Sequence, residues 1–299
     1  MHESNPGGQL AVAPSADALA GRTAAEPEAA AEISFLLPML SLWRREMVRF
    51  ARQRSRVIGM VATPLLFWFA IGAGLGSSFQ PPGASGASAA SGGYLHYFYP
   101  GTLVMIVLFT SVLGSMSVIE DRKEGFLLSV LVAPIYRVSL ILGKVLGGAT
   151  QSVIPAILVL LIGPAVGFPL HPWQFLLLTG VLFLISFSLT CLGFFVAWRM
   201  DSTSGFHAIL NLVLIPMWFL SGAMFPASGA SVWVQWVMKL NPLTYGLSAL
   251  RRLLYWDPGA VASDVESLGL SLLISILFAA VTLVAALIWT GRPTTKNLG

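Results

Sequence analysis

Six apolar runs, each long enough to cross ~30 Å of hydrocarbon as a helix, constrain this chain more than any motif in it. They fall near residues 57–79, 98–118, 141–163, 173–197, 206–224 and 268–290. Inside a bilayer the backbone must satisfy its own hydrogen bonds, and a helix does so within one segment. The expected fold class is therefore an all-α polytopic membrane protein with six transmembrane helices. Charged residues make up only 10% of the chain, against about a quarter in soluble domains. Pro64, Pro155 and Pro216 lie inside the first, third and fifth runs, where prolines are tolerated as kinks.

Lys and Arg set the expected orientation, because cytoplasmic loops carry the excess of positive charge. With the N-terminus inside, the cytoplasmic side receives Arg22, Arg44, Arg45, Arg49, Arg52, Arg54, Arg56, Arg122, Lys123, Arg137, Lys144, Arg199, Arg292 and Lys296. The outside keeps Lys239, Arg251 and Arg252. Both termini are expected in the cytoplasm. The formal charge is only +4 and follows membrane sidedness, so no nucleic-acid partner is expected. Cys191 is the only cysteine, which excludes an intrachain disulfide, and no metal site is expected.

The partition that follows is a cytoplasmic tail over 1–34, an amphipathic helix over 35–56, a six-span domain over 57–290 and a second cytoplasmic tail over 291–299. The first tail is rich in Ala, Gly, Pro, Ser and Glu and reads as disordered. It lacks the early apolar stretch of a secretory signal. In the helix, Leu36, Leu40, Trp43, Met47 and Phe50 recur at helical spacing. Arg45, Arg49, Arg52 and Arg56 occupy the opposite face. The expectation is an interface helix with its apolar side in lipid and its arginines toward headgroups and water. It would serve as a basic anchor, a docking element, or both.

Residues 80–97 read as a flexible external linker. The external segment 225–265 is too apolar for a solvated loop and too interrupted to cross. Asn241 followed by Pro242 reads as an N-cap and first helical residue, and Leu243, Leu247, Leu250 and Leu254 then share one face. Two short re-entrant or outer-leaflet helices, broken at Asn241–Pro242, are expected here.

Catalytic chemistry is scarce. His96, His171 and His207 sit at span ends with no acid nearby in sequence, leaving a membrane hydrolase as a minor alternative. Gly143–Lys144 is not a phosphate-binding loop, since Val138 and Val145 stand where Gly and Ser or Thr are needed. None of the 13 acids lies mid-span, which disfavours a proton- or sodium-driven secondary transporter. The mid-span polar residues Thr110, Ser111, Ser115, Ser186, Ser188, Thr190 and Asn211 are neutral. They read first as interhelical hydrogen-bonders, and Thr110, Ser111, Ser115 and Asn211 also as candidates for a translocation path. Any energy source for transport would have to reside on another chain.

Two stretches carry a resemblance. The first is "IEDRKEGFLLSVLVAPIYR", with Asp121, Arg122, Gly125, Pro134 and Arg137, followed by Gly143 and Lys144. The second runs from Ser221, Gly222, Phe225 and Pro226 to Asn241, Pro242, Leu243, Thr244, Tyr245 and Arg251. In this order, on a six-span chain, they resemble the membrane subunits of type-2 ATP-binding-cassette exporters, including daunorubicin-type and nodulation-type permeases. Phe126 stands where the family more often has Thr. The resemblance implies a non-enzymatic permease of a bacterial inner membrane, paired with a second copy or a paralogue. It also implies two copies of a separate ATPase that holds ATP and Mg. A non-transport scaffold coupled to an ATPase is the competing class.

The resemblance further implies a cytoplasmic coupling helix after the second span. Such a helix needs one side for a soluble partner and one for its own permease. The expectation is that Glu120, Asp121, Arg122, Lys123 and Glu124 meet the ATPase, while Phe126 to Val132 face the permease and Pro134 ends the helix. A loop that only enforced topology would not need three acids. The uncharged, aromatic spans suit an amphipathic drug-like or lipid-linked substrate, with a glycan next.

Overall fold

The computed structural model describes residues 35–75, 93–132, 135–255 and 265–291. The expected tail over 1–34, that over 291–299 apart from its first residue, most of the linker 80–97, and Pro134 lie outside these residues. Among the described residues six helices are long and apolar enough to cross a membrane: Val57–Leu75, Gly93–Lys123, Arg137–Leu160, Pro172–Ala197, Thr203–Ala223 and Leu268–Thr290. The elements, in chain order, are α1 (Leu36–Arg52), α2 (Arg54–Leu75), α3 (Gly93–Ser115), α4 (Ser117–Lys123), α5 (Phe126–Val132), α6 (Arg137–Leu160), α7 (Pro172–Ala197), α8 (Thr203–Trp218), α9 (Val232–Leu240), α10 (Pro242–Leu254) and α11 (Leu268–Gly291).

The second span runs longer than the apolar run from which it was expected. Its helix starts five residues earlier, at Gly93, because Tyr94 and Tyr97 are buried and donate to the carbonyls of Met224 (2.9 Å) and Gly222 (3.0 Å). A tyrosine whose hydroxyl finds a partner can be packed at no net polar cost.

Helices α3, α6 and α7 pack against one another and hold the buried core, with α2 laid on α3 and α11 on α7. α2 and α11 turn most of their apolar surface outward, as lipid-facing helices do. The core seam is made of small residues. Ser111 bonds Ser152 at 3.1 Å and approaches Ser186 at 3.3 Å; Ser115 donates to the carbonyls of Ser111 (2.9 Å) and Thr190 (3.3 Å). Membrane helices gain no hydrophobic drive from leaving lipid, so close backbone approach and such bonds hold them together.

This seam revises the path expectation. Thr110, Ser111 and Ser115 are buried, Thr110 on its own helix at the Ile106 carbonyl (2.6 Å), whereas Asn211 is exposed on α8. The four do not form one lining.

Glycines on α6 let α1 lie against it. A Cβ at Gly143 would sit 2.8 Å from the Met39 carbonyl oxygen and 2.9 Å from Leu42 Cβ. One at Gly147 would sit 2.8 Å from Glu46 Cβ. The packed face of α1 thus carries Leu42 and Glu46, both buried, while Leu36 and Leu40 are exposed. Gly143→Ala should lower stability by about 1–3 kcal/mol through overpacking against backbone. Gly180→Ala, with nothing within 4 Å of its Cβ position, should be neutral or mildly stabilising. Thermal unfolding of the two purified variants in detergent checks the contrast.

Candidate functional site

At the end of the second span the charged stretch turns Asp121 inward. α4 carries Glu120 and Asp121, and Gly125, at φ +75°, turns the chain into α5. Only glycine enters that left-handed region freely. The bond from Gly125 N to the Arg122 carbonyl (3.1 Å) closes the end of α4.

Asp121 has no exposure to solvent. Arg45 grips it with both terminal nitrogens, each at 2.8 Å, in the fork geometry that suits a carboxylate. Arg49 reaches Asp121 at 3.2 Å and Glu120 at 2.6 Å. From α6, the buried Lys144 ammonium contacts Asp121, bonds Glu46 at 2.8 Å, and reaches Ser117 at 3.3 Å. Three cations (Arg45, Arg49, Lys144) therefore meet three close carboxylates (Glu46, Glu120, Asp121), with a fourth, Glu124, 3.8 Å from Arg49. The Asp121 hydrogen bonds hold the Arg45 guanidinium above its ordinary pKa range, and its plane lies 3.7 Å from the Phe126 ring centre.

The outer flank of α4 is fastened too. Arg122 donates to the carbonyls of Trp198 and Met200 (3.2 Å) and reaches Asp201 at 3.2 Å. A seven-residue helix is thus tied to α1, to the start of the third span and to the end of the fourth. Trp43 adds a bond to Thr150 (3.2 Å), and Arg137 one to the Thr290 carbonyl (3.3 Å). Arg52 is exposed.

Two expectations are corrected here. The arginines of α1 were expected toward headgroups and water, yet Arg45 and Arg49 point at the acids of α4. An acid as deeply buried as Asp121 needs opposite charge within reach, and these supply it. The division of labour around α5 is mixed: Leu127 is buried and Phe126 and Val130 pack on the core, but two departures stand out. Asp121 belongs to the permease interior, whereas α5 leaves Leu128 at 48% and Val132 at 85% exposure. Lys123 and Glu124 remain exposed beside them.

Sequence reasoning missed Glu46 and the pairing of Lys144. The available signal was isolation: Glu46 is the only acid between Phe35 and Ile119, and Lys144 is the only lysine between Arg137 and Leu160. Each sits where a lone charge would be costly without a partner.

At the opposite end, α9 and α10 meet at Asn241. Its Oδ1 accepts from Leu243 N (3.0 Å) and its amide donates to the Met217 carbonyl (2.6 Å). Tyr245 donates to the Lys239 carbonyl (2.8 Å), and Arg251 donates to the Gly222 carbonyl (2.7 Å). Gly222 takes φ +86° inside the π-helical turn Phe219–Ala223 that ends the fifth span. That turn aims its carbonyl at both Tyr97 and Arg251. The motif residues at both ends are therefore structural ties across elements.

Residues 39–255 match the family model described as ABC-2 type transporter. The chain belongs to the ABC-2 type transporter family. Relatives include the ycf38 protein of Cyanophora paradoxa, named as a transport permease (28% identical, covering 82% of this chain and 86% of the relative). The inner membrane transport permease YadH of Escherichia coli K12 is 29% identical over 73% of this chain and 82% of its own. The daunorubicin resistance ABC transporter permease DrrB1 of Streptomyces coeruleorubidus is 24% identical over 74% and 77%. This ABC-2 protein is a multi-pass permease subunit of an ABC transporter.

The charged corner makes a graded prediction. Asp121→Asn leaves three cations short of a buried partner and should destabilise the protein by about 3–5 kcal/mol. Glu120→Gln removes a carboxylate whose side chain is 25% exposed and should cost below about 1 kcal/mol. Thermal unfolding in detergent, run side by side, reads the difference.

Proposed function

We propose that this permease works with a separate ATPase chain that binds ATP and Mg, and that the ATPase seats on the exposed side of α5. The observation that carries this reading is the split character of the α4–α5 corner. One side is locked by Asp121 and Arg122 to α1, to the start of the third span and to the end of the fourth, while the other leaves Leu128 and Val132 exposed. A push on α5 would therefore reach the second, third and fourth spans together. Lys123 and Glu124 would form the polar rim of that contact.

The transporter would export, with both termini in the cytoplasm and α9 and α10 on the far side of a bacterial inner membrane. The inner-membrane name of YadH and the daunorubicin-resistance name of DrrB1 support that placement and direction. A second permease copy or a paralogue would complete the assembly, with two ATPases and lipid around it. The substrate would be amphipathic: drug-like, lipid-linked, or a glycan. α1 would lie along the cytoplasmic interface, with Arg52 toward headgroups.

Co-purification with the cognate ATPase tests the docking surface. Leu128→Glu with Val132→Glu should reduce retained ATPase by about tenfold or more, as loss of a central apolar anchor does. Thermal stability of the permease should stay near wild type, because both side chains are exposed. Undiminished co-purification and transport in this variant would place the ATPase elsewhere.

A further inference from the structure

α10 has two faces. Leu243, Leu247, Leu250 and Leu254 are buried in the core. Thr244, Ser248 and Arg251, spaced 4 and 3 residues apart and so aligned on one side of the helix, line a cavity of about 460 Å³ instead. Lys239 from α9 and Glu266, just before α11, lie on the same cavity.

The electrostatics of this cavity are incomplete. Arg251 is only 5% exposed. Its guanidinium bonds the Gly222 carbonyl and stands 4.3 Å from the Tyr97 ring centre. Among the described residues no carboxylate lies within ion-pairing distance of it, and its Nε–H has no hydrogen-bond partner. The Thr244 hydroxyl, also buried, has none either. A buried guanidinium is ordinarily matched by an opposite charge. Among the described residues, two orphaned groups and a lysine share one cavity with one carboxylate, Glu266.

We infer that this cavity is a binding site for a phosphate group, held by the Arg251 guanidinium, the Thr244 hydroxyl and the Lys239 ammonium. Phosphate presents several strong acceptors to donors arriving from different directions. The group could be free or part of a lipid headgroup. Beside the cavity α9 exposes Trp233 (67%), Trp236 (63%) and Leu240 (81%), an amphipathic-aromatic surface of the kind that sits at a membrane interface. The Glu266 carboxylate opposes the anion and limits its affinity. The inference does not rest on the ATPase reading above.

The test uses the full chain, purified in lipid-free detergent and titrated with two probes by isothermal calorimetry: inorganic phosphate and dihexanoyl-phosphatidylglycerol. Saturable binding of at least one is expected. Binding of both marks a general phosphate site, and binding of the phospholipid alone marks a headgroup site. Arg251→Gln should weaken binding about tenfold or more, the loss expected for a charge-assisted hydrogen bond. Arg251 also braces the π-helical turn, so two milder variants carry the test if that one does not fold. Thr244→Val should weaken binding several-fold, and Glu266→Gln should strengthen it several-fold. Absence of saturable binding by either probe, or binding unchanged in both Thr244→Val and Glu266→Gln, overturns the inference.

Discussion

A carboxylate with no access to water stays charged only if the protein surrounds it with cations, and Asp121 is held by three. Much of the structure around α4 follows from that constraint. Arg45 and Arg49 must come from α1, so α1 must lie close. Lys144 must come from the third span, so α1 and α4 must meet it at one place. The glycines at 143 and 147 remove the side chains that would keep α1 away. Buried ion networks add little to stability compared with a well-packed apolar core, but they are costly to break and they fix geometry. That combination suits a joint which must transmit force without changing register.

The two ends of the bundle are tied by different chemistry. At one end the links are ionic and radiate from α4. At the other end they are hydrogen bonds to backbone: Gly222 serves Tyr97 and Arg251, and Asn241 serves both α10 and the Met217 carbonyl. A π-helical turn with a glycine at positive φ interrupts the fifth span at that end. Carbonyls freed by such an interruption need donors, and the motif residues supply them. The recurring tyrosines, Asn241 and Arg251 of the sequence are explained by this need before any substrate is invoked.

The spans were legible because hydrophobic run length is a local property and the bilayer requirement is strict. The break at Asn241–Pro242 was legible for a similar reason, since a cap and a helix-starting proline are adjacent in sequence. The charged corner was legible only in part. The sequence marks residues 120–124 as unusual, but their direction depends on Arg45, Arg49 and Lys144, which lie 72 to 76 residues upstream and 23 downstream. Helical spacing on α1 marked the Leu36 and Leu40 face for lipid but gave no sign of the face packed on the third span, which holds Leu42 and Glu46, an acid that local pattern alone assigns to water. A charge is read as solvated until its distant partner is known. Isolation of Glu46 and Lys144 within long stretches lacking their own charge type was the one available hint.

Glu120 and Asp121 serve the permease's own cations. A double-mutant cycle on Arg45 and Asp121 measures this most directly, with thermal stability of Arg45→Gln, Asp121→Asn and the double variant read in the same detergent. The double variant should be less destabilised than the two single losses summed, with a coupling of about 1–3 kcal/mol. Losses that add to within about 0.5 kcal/mol would mean that Asp121 is not held by Arg45.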